Sequence, residues 1–327
     1  MRAQFESALP GACLAVFVFF TGAQADPLQW KAEGWKTDFE KTTEKLDRVL
    51  SGGPPRDGIP SIDNPKFVEA AGHSGLADNE PVIGLSISGD ARAYPLRVLT
   101  WHEIVNDTVG GIPVAVTYCP LCNSSLVFER SVDGETLEFG TTGKLKDSNL
   151  IMYDRRSESW WQQFSGEAIA GIHAGEKLTL LPSRLQSWAQ FKADHPGGEV
   201  LVPNDPELRD YGRNPYVGYD SGRPFLYDGQ LPPGIDPMQR VVVVRRGDGD
   251  PIVVTMNLVR DSGPIERGGH VIAWEAGQSS ALDAPEIARG RDIGTISVHK
   301  GGRDVAYDVT FAFVAHAFYP QAEIATQ

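Results

Sequence analysis

Short apolar runs separated by glycine-containing turns recur along this chain, and they constrain its fold more than any other pattern. Residues 241–244 and 252–254 are rich in valine and flank Gly-Asp-Gly-Asp at 247–250, which predicts a hairpin. Further strands are predicted at 81–88, 91–95, 112–118, 125–129, 136–140, 149–153, 293–299 and 305–313. The sequence therefore predicts a mainly β (α+β) protein, an antiparallel β-rich domain with hairpins and a few peripheral helices.

Two segments have helical spacing instead. Residues 37–50 place Phe39, Leu46 and Leu50 on one face, and residues 183–195 carry Leu185, Trp188, Ala189 and Phe191 in helical rhythm with Ser183 as a cap. Residues 203–237 are rich in Gly, Pro, Tyr and Asp, which is typical of a functional loop or a surface connection. We predict an N-terminal helical segment at 26–53. One β-rich domain should then follow at 54–322, or two packed halves divided near 203–237.

The N-terminus resembles a secretory leader. An apolar run at 12–20 follows Arg2 and precedes Ala23-Gln24-Ala25, which predicts a signal peptide over residues 1–25 with cleavage after Ala25. The run is shorter than the roughly 20 residues of a membrane-spanning helix, and no later run is longer, so we expect no stable membrane span. The sequence thus predicts an exported protein, periplasmic or extracellular.

Charge and motif content exclude several classes of function. The 327 residues carry a net charge of -13 without a Lys/Arg-rich run, which argues against nucleic acid as a partner. The chain has no Gly-x-Ser-x-Gly elbow, no phosphate-binding glycine loop and no His-Glu-x-x-His. Hydrolase chemistry is therefore not favoured.

Cys119-Pro120-Leu121-Cys122 is the strongest chemical signal. Cysteines at this spacing can form a short disulfide, a dithiol redox couple or half of a metal site. Export favours a disulfide, whereas closing so short a loop stabilises a fold little. A metal site here would suit copper, iron or zinc. The sequence leaves these alternatives open.

Three further residues are candidates for the same site. His102 and Glu103 precede a predicted chain reversal at Gly110-Gly111, which could return the His102 segment alongside the strand that ends at Cys119. The imidazole could then bind a metal, or act as a base that activates a thiol. His316, in a predicted strand at 311–319, could supply a fourth ligand.

Asp154, Arg155, Trp160 and Trp161 form a second group of chemistry-capable residues. Such an acid beside an arginine is most often an ion pair, and paired tryptophans are most often core. The alternative is a platform that stacks a sugar or an aromatic ligand.

Several further segments form an ordered set of motifs. They are Asp57-Gly58-Ile59-Pro60, Ala93-Tyr94-Pro95-Leu96, His102-Glu103-Ile104-Val105-Asn106-Asp107, Thr117-Tyr118-Cys119-Pro120-Leu121-Cys122, Met152-Tyr153-Asp154-Arg155, Ser159-Trp160, Gly166-Glu167-Ala168, Gly171 and His195-Pro196. Together these segments resemble the exported bacterial and archaeal family known as domain of unknown function 3179. The resemblance implies a single family domain and supplies no established reaction. Asn123 stands where a glycine is common in the family.

Two hypotheses of function follow. The first is an exported protein in which Cys119 and Cys122 carry out thiol-redox or metal chemistry, with a small molecule, a metal or a redox protein as partner. The second is a non-catalytic binding module in which the two cysteines form a structural disulfide and the Trp160-Trp161 region binds a ligand.

Overall fold

A computed structural model describes residues 26–247 and 249–327. The predicted signal peptide and Cys13 lie outside the described residues. The described strands are, in chain order, β1 Val49–Ser51, β2 Lys66–Glu69, β3 Pro81–Ile87, β4 Asp90–Pro95, β5 Ile104–Val109, β6 Ile112–Cys119, β7 Ser124–Glu129, β8 Ser131–Val132, β9 Glu135–Thr136, β10 Phe139–Lys146, β11 Asn149–Asp154, β12 Trp160–Gln162, β13 Glu167–Ala170, β14 Thr179–Leu181, β15 Arg184–Ser187, β16 Glu199–Val202, β17 Arg240–Val244, β18 Ile252–Thr255, β19 Ile265–Arg267, β20 His270–Glu275, β21 Thr295–Lys300, β22 Arg303–Asp304, β23 Asp308–Phe311 and β24 Ile324–Ala325. The described α-helices are α1 Pro27–Ala32, α2 Leu96–His102, α3 Trp188–Asp194, α4 Met256–Ser262 and α5 Ala312–Phe318.

The strands form sheets that are arranged like a five-bladed propeller, so the prediction of a mainly β, antiparallel fold is confirmed. The strand orders are β1-β10-β11-β12-β13, β14-β7-β6-β5, β15-β3-β4-β16-β2, β23-β17-β18-β24 and β19-β20-β21-β22, with β8-β9 as a separate small hairpin. Two pairs are parallel, β4 with β16 and β18 with β24. No helix in the described ranges is long and apolar enough to cross a membrane.

The hairpins predicted from turn residues are present. β3 pairs with β4 around Ser88-Gly89, and β17 pairs with β18. β5 pairs with β6, and the chain reverses at Gly110 and Gly111, whose φ values of 55° and 85° lie in the left-handed region. The strands predicted at 293–299 and 305–313 do not pair with each other as one hairpin, because β21 pairs with β22 whereas β23 joins β17.

The predicted helix at 37–50 is wrong. Residues 37–48 form turns and an isolated bridge, and the chain then enters β1. Phe39 and Leu46 are buried against Trp30 and Trp160, so the apolar residues that suggested a helical face are held by tertiary contacts instead. The helical part of this segment is α1, which Asp26 caps by accepting a hydrogen bond from the Leu28 amide at 2.8 Å.

Two other boundaries also differ from the prediction. The helix predicted at 183–195 is preceded by β15 and begins at Trp188, where Ser187 and Gln190 form a capping box. The strand predicted at 311–319 ends at Phe311 and continues as α5. That segment has a helical pattern as well, because Ala312 and Ala315 pack on β17.

The cysteine turn lies in the core between three sheets. One apolar cluster contains Cys119 and Cys122 from the β6–β7 sheet, Met152 and Trp161 from the β10–β13 sheet, and Phe311 at the end of β23. The two cysteines are therefore surrounded by packed side chains from sequence-distant strands.

Gly143 permits a close approach between β10 and the segment that enters the domain. Its φ is 71°, and a Cβ at this position would lie 2.0 Å from the Pro54 carbonyl oxygen. Gly134 has a similar φ of 80° but open space around the same position. We expect Gly143→Ala to lower the free energy of unfolding by about 1–3 kcal/mol more than Gly134→Ala, because only the former adds an overpacking cost to the backbone strain. Urea unfolding of the two variants measures the difference, and equal losses would contradict the close approach.

Candidate functional site

The turn between β6 and β7 holds the two cysteines. The Cys122 amide donates to the Cys119 carbonyl at 3.1 Å, and the Asn123 amide donates to the Pro120 carbonyl at 3.1 Å. Asn123 has a φ of 52°, a left-handed conformation that glycine adopts without strain and asparagine tolerates. Asparagine can therefore occupy this position of the turn, as glycine could.

Polar groups surround the two sulfurs within the apolar core. The Ser148 carbonyl lies 3.8 Å from Cys119 Sγ and 3.4 Å from Cys122 Sγ, within hydrogen-bonding reach of both thiols. The side-chain amide of Asn149 donates to Cys122 Sγ at 3.4 Å. Cys122 Sγ therefore has both a hydrogen-bond donor and an acceptor beside it.

A buried amide network fixes Asn149 in this position. Its side-chain oxygen accepts from Gln162 Nε2 at 2.6 Å and from the Phe164 amide at 2.9 Å. Its side-chain nitrogen also donates to Gln163 Oε1 at 2.8 Å, and Gln163 donates in turn to Thr117 Oγ1 on β6 at 2.9 Å. The Asn149 amide that donates to Cys122 is thus fixed by residues of two different sheets.

The environment keeps Cys122 protonated. Cys122 is completely buried and Cys119 is 2% exposed, and both are free thiols. Burial raises the pKa of Cys122, the neighbouring Cys119 raises it further, and the hydrogen bond from Asn149 acts in the opposite direction. Cys122 is therefore a neutral thiol at neutral pH, as its apolar surroundings favour.

His102 does not join the cysteines, contrary to the sequence prediction. Its Nδ1 is hydrogen-bonded to the Pro60 carbonyl and its Nε2 to the Tyr211 hydroxyl, each at 2.7 Å. Burial lowers the pKa of His102, so the neutral ring is favoured. α2 ends at His102, and the chain reverses at Gly110 and Gly111. Glu103 is therefore the residue that lies next to the cysteine strand.

The predicted metal ligands are not assembled. In the ranges 26–247 and 249–327, no three His, Cys, Asp or Glu side chains are grouped so that they could hold a metal ion. Cys119, Cys122, His102 and His316 therefore do not form a shared site there. His316 lies on α5 and not on a strand as predicted.

Glu103 lies beside the cysteine strand at a strained position. It follows α2 with a φ of 58°, and its carbonyl accepts from the Tyr118 amide at 2.8 Å, one residue before Cys119. The side chain is buried, with 8% exposed, and burial raises its pKa to about 8. A non-glycine residue in this conformation is uncommon and is enriched at functional sites.

Glu103 lines a cavity of about 450 Å³. Leu121, between the two cysteines in sequence, forms another part of the wall, and Tyr216 and Tyr219 lie on the opposite chain segment. Tyr219 donates from its hydroxyl to the Leu121 carbonyl at 2.9 Å and thereby ties the 215–225 segment to the cysteine turn. The long loop predicted at 203–237 thus contributes a cavity wall.

The second predicted group is structural. Trp160 and Trp161 are completely buried, so neither indole offers the exposed face that a stacking platform needs. Asp154 accepts from the Ser157 amide at 2.6 Å and from Trp161 Nε1 at 3.1 Å, which caps a turn. Arg155 pairs with Asp57 at 3.0 Å instead of with its neighbour Asp154.

Sequence reasoning missed three residues of the site. Asn149 is the first residue of a predicted apolar strand. An amide side chain in such a strand is the sequence signal that could have indicated its role. Tyr216 and Tyr219 gave no signal beyond their position in a long loop. Their burial raises the pKa of each hydroxyl, and the nearby Glu103 and Cys119 add to the effect at Tyr216.

Family comparison agrees with the motifs around the cysteines. Residues 56–322 match the family described as "Protein of unknown function (DUF3179)", which is most of the chain. The chain belongs to DUF3179. No curated protein and no solved structure matches this DUF3179 member. The Cys119 turn, the Glu103 position and the cavity all fall within the matched region.

Proposed function

We propose that this DUF3179 protein is a thiol-redox protein in which Cys119 and Cys122 alternate between a dithiol and a disulfide. The supporting observation is the set of polar contacts around the sulfurs, where the Ser148 carbonyl faces both thiols and Asn149 donates to Cys122. A cysteine that only fills core volume needs no such partners. The predicted leader would direct the protein out of the cytoplasm. Oxidants of thiols are present in the compartments outside it.

Charge favours redox cycling over metal binding. Two thiols and a disulfide are both neutral, so the apolar core around Met152 and Phe311 can hold either state without burying a charge. A metal would require both buried thiols to ionise, and the described residues provide no third His, Cys, Asp or Glu ligand to complete its coordination. The proposal is therefore limited to the thiol half of the sequence hypothesis.

The reaction balances with a disulfide as oxidant. Two S–H bonds of Cys119 and Cys122 break and one S–S bond forms between them. The two electrons and two protons pass to the oxidant, whose own S–S bond breaks to give two thiols. Because burial disfavours the Cys122 thiolate, we expect the exchange to accelerate as pH rises toward its elevated pKa.

A redox titration tests the proposal. The mature protein, expected to begin at Asp26, is equilibrated with oxidised and reduced dithiothreitol at graded ratios, quenched in acid, denatured and alkylated, and its thiols are counted by intact mass. We expect both thiols to disappear and return together in a two-electron transition while the fold persists. Cys119→Ser and Cys122→Ser should each leave one thiol that no ratio removes.

Three results would contradict the proposal. The first is a pair of thiols that stays reduced at every ratio. The second is a disulfide whose reduction unfolds the protein, which would indicate a structural staple. The third is stoichiometric copper, iron or zinc in the purified protein that either serine variant removes, which elemental analysis would detect.

A further inference from the structure

We propose that the cavity lined by Glu103 and Tyr216 binds a small, largely apolar molecule that carries a carbonyl group, with Glu103 as the hydrogen-bond donor to that carbonyl. The inference concerns the cavity and holds whether or not the sulfurs undergo redox cycling. It rests on the chemistry of the wall, on one unpartnered carboxyl and on the backbone that positions it.

The wall is mostly apolar. Ile59, Leu121, Leu145, Leu150 and Phe225 line the cavity of about 450 Å³. This volume lies within the usual range for small-molecule sites, which are concave, apolar and supplied with a few polar groups that orient the ligand.

Glu103 is a buried polar group on this wall, and its side chain makes no hydrogen bond among the described residues. Its side chain is 92% buried, since 8% is exposed, and it lines the cavity. Burial alone shifts its pKa, to about 8, and no hydrogen bond or neighbouring charge contributes among the described residues. A carboxyl with this pKa is mostly protonated at neutral pH and has an O–H to donate.

Apart from Arg223, the other titratable groups on the wall are already neutral or paired. The pKa of Tyr216 and of Tyr219 is raised, so both phenols stay protonated, and the Tyr219 hydroxyl is used by the Leu121 carbonyl. Lys144 Nζ pairs with Glu33 at 2.8 Å. Arg223 also lines the cavity and is exposed to solvent.

These groups select the class of ligand. A neutral donor in an apolar wall stabilises an acceptor such as a ketone or aldehyde oxygen, and the Tyr216 hydroxyl can add a second donor. An amine would require the ionised form of Glu103, which burial disfavours near neutral pH. Glu103 also has a strained φ of 58°, and such strained backbone positions are enriched at functional sites.

Matched probes test the inference on the intact mature protein. Benzylacetone supplies an apolar body and a ketone, n-butylbenzene lacks the ketone, and the corresponding primary amine replaces it with a cation. Calorimetry and ligand-observed NMR measure binding from about pH 6 to about pH 10, with thermal melts to show that the fold persists. We expect benzylacetone to bind best, and its Kd to rise about tenfold per pH unit above the pKa of Glu103.

Substitution isolates the carboxyl. Glu103→Gln retains an N–H donor and cannot titrate, so benzylacetone should bind with a flat pH profile. Glu103→Met keeps the length and removes the donor, so affinity for benzylacetone should fall about 3–10-fold while n-butylbenzene is unaffected.

A measurement without substitution protects the test against misfolded variants. NMR of carbon-labelled glutamate reports the pKa of Glu103 directly, and benzylacetone should raise it, because the ligand binds the protonated form. The inference is wrong if none of the probes binds or if the amine binds more tightly than the ketone at neutral pH. It is also wrong if benzylacetone leaves the pKa unchanged, or if Glu103→Gln retains the pH dependence.

Discussion

Replacing Trp160 with alanine is expected to lower the free energy of unfolding by about 3–5 kcal/mol. The indole is fully buried, and its ring centroid lies 4.8 Å from those of Trp30 and Phe39 and 5.2 Å from that of Trp35. Alanine would leave a cavity among these rings, where the N-terminal segment packs on β12. Chemical denaturation followed by far-UV circular dichroism measures the loss.

Leu28 provides the control for Trp160. It lies in α1 close to Trp30 in sequence but is 74% exposed, so Leu28→Ala should change stability by less than about 0.5 kcal/mol. A loss below about 1 kcal/mol for Trp160→Ala would contradict the packing described here. It would favour an exposed aromatic platform, as the alternative hypothesis from the sequence required.

Asp220→Ala is also expected to cost about 3–5 kcal/mol, because it leaves a buried arginine without its partner. Asp220 is 4% exposed and Arg240 is 8% exposed, and Arg240 Nη2 donates to Asp220 Oδ2 at 2.9 Å. Arg291 Nη2 lies 3.0 Å from the same oxygen, and the Ser280 hydroxyl also donates to it. The pair joins the segment that carries Tyr219 to β17.

The double variant separates the pair from the packing. Asp220→Ala combined with Arg240→Met removes both charges, so it should be more stable than Asp220→Ala alone. Equal stability of the two variants would show that the ion pair contributes little. Thermal melts at low salt and high salt should differ little for the parent protein, because the pair is buried.

The same pair predicts acid sensitivity. Burial would raise the pKa of Asp220, but Arg240, Ser280 and Arg291 together lower it below its ordinary value of 3.8. A carboxyl with a lowered folded-state pKa contributes stability above its unfolded-state pKa. That contribution should begin to decline near pH 4 and be lost as the pH falls through the lower folded-state pKa. Asp220→Asn should lack this part of the acid dependence.

Local sequence patterns determined the class of fold and many of its hairpins. The valine runs of β17 and β18 and the glycine turn between β5 and β6 predict hairpins because each depends on neighbouring residues only. The segment at 37–50 was mispredicted for the opposite reason. Its apolar residues pack on Trp160, more than 100 positions away, and such contacts override a weak helical preference.

Some features of the candidate site likewise follow from the local sequence, and others only from the tertiary structure. The sequence alone pointed to Cys119 and Cys122, because their spacing is a local property. Its chain reversal predicted that His102 would approach them, with Glu103 as the adjacent candidate. Only the tertiary structure decided that the Glu103 side chain, and not that of His102, lines the cavity beside Leu121. His102 is the last residue of α2, and its ring is hydrogen-bonded to the Pro60 carbonyl and the Tyr211 hydroxyl.

The partners of the sulfurs were likewise settled by folding. Asn149 reaches Cys122 from another sheet, and Tyr219 reaches the cysteine turn from a loop about 100 residues downstream. No local pattern encodes these contacts, because they depend on how sheets pack against one another. The sequence therefore determined many of the strands and turns and the position of the cysteine pair, while packing decided the burial of both cysteines, their hydrogen bonds and the raised pKa of Cys122 and Glu103.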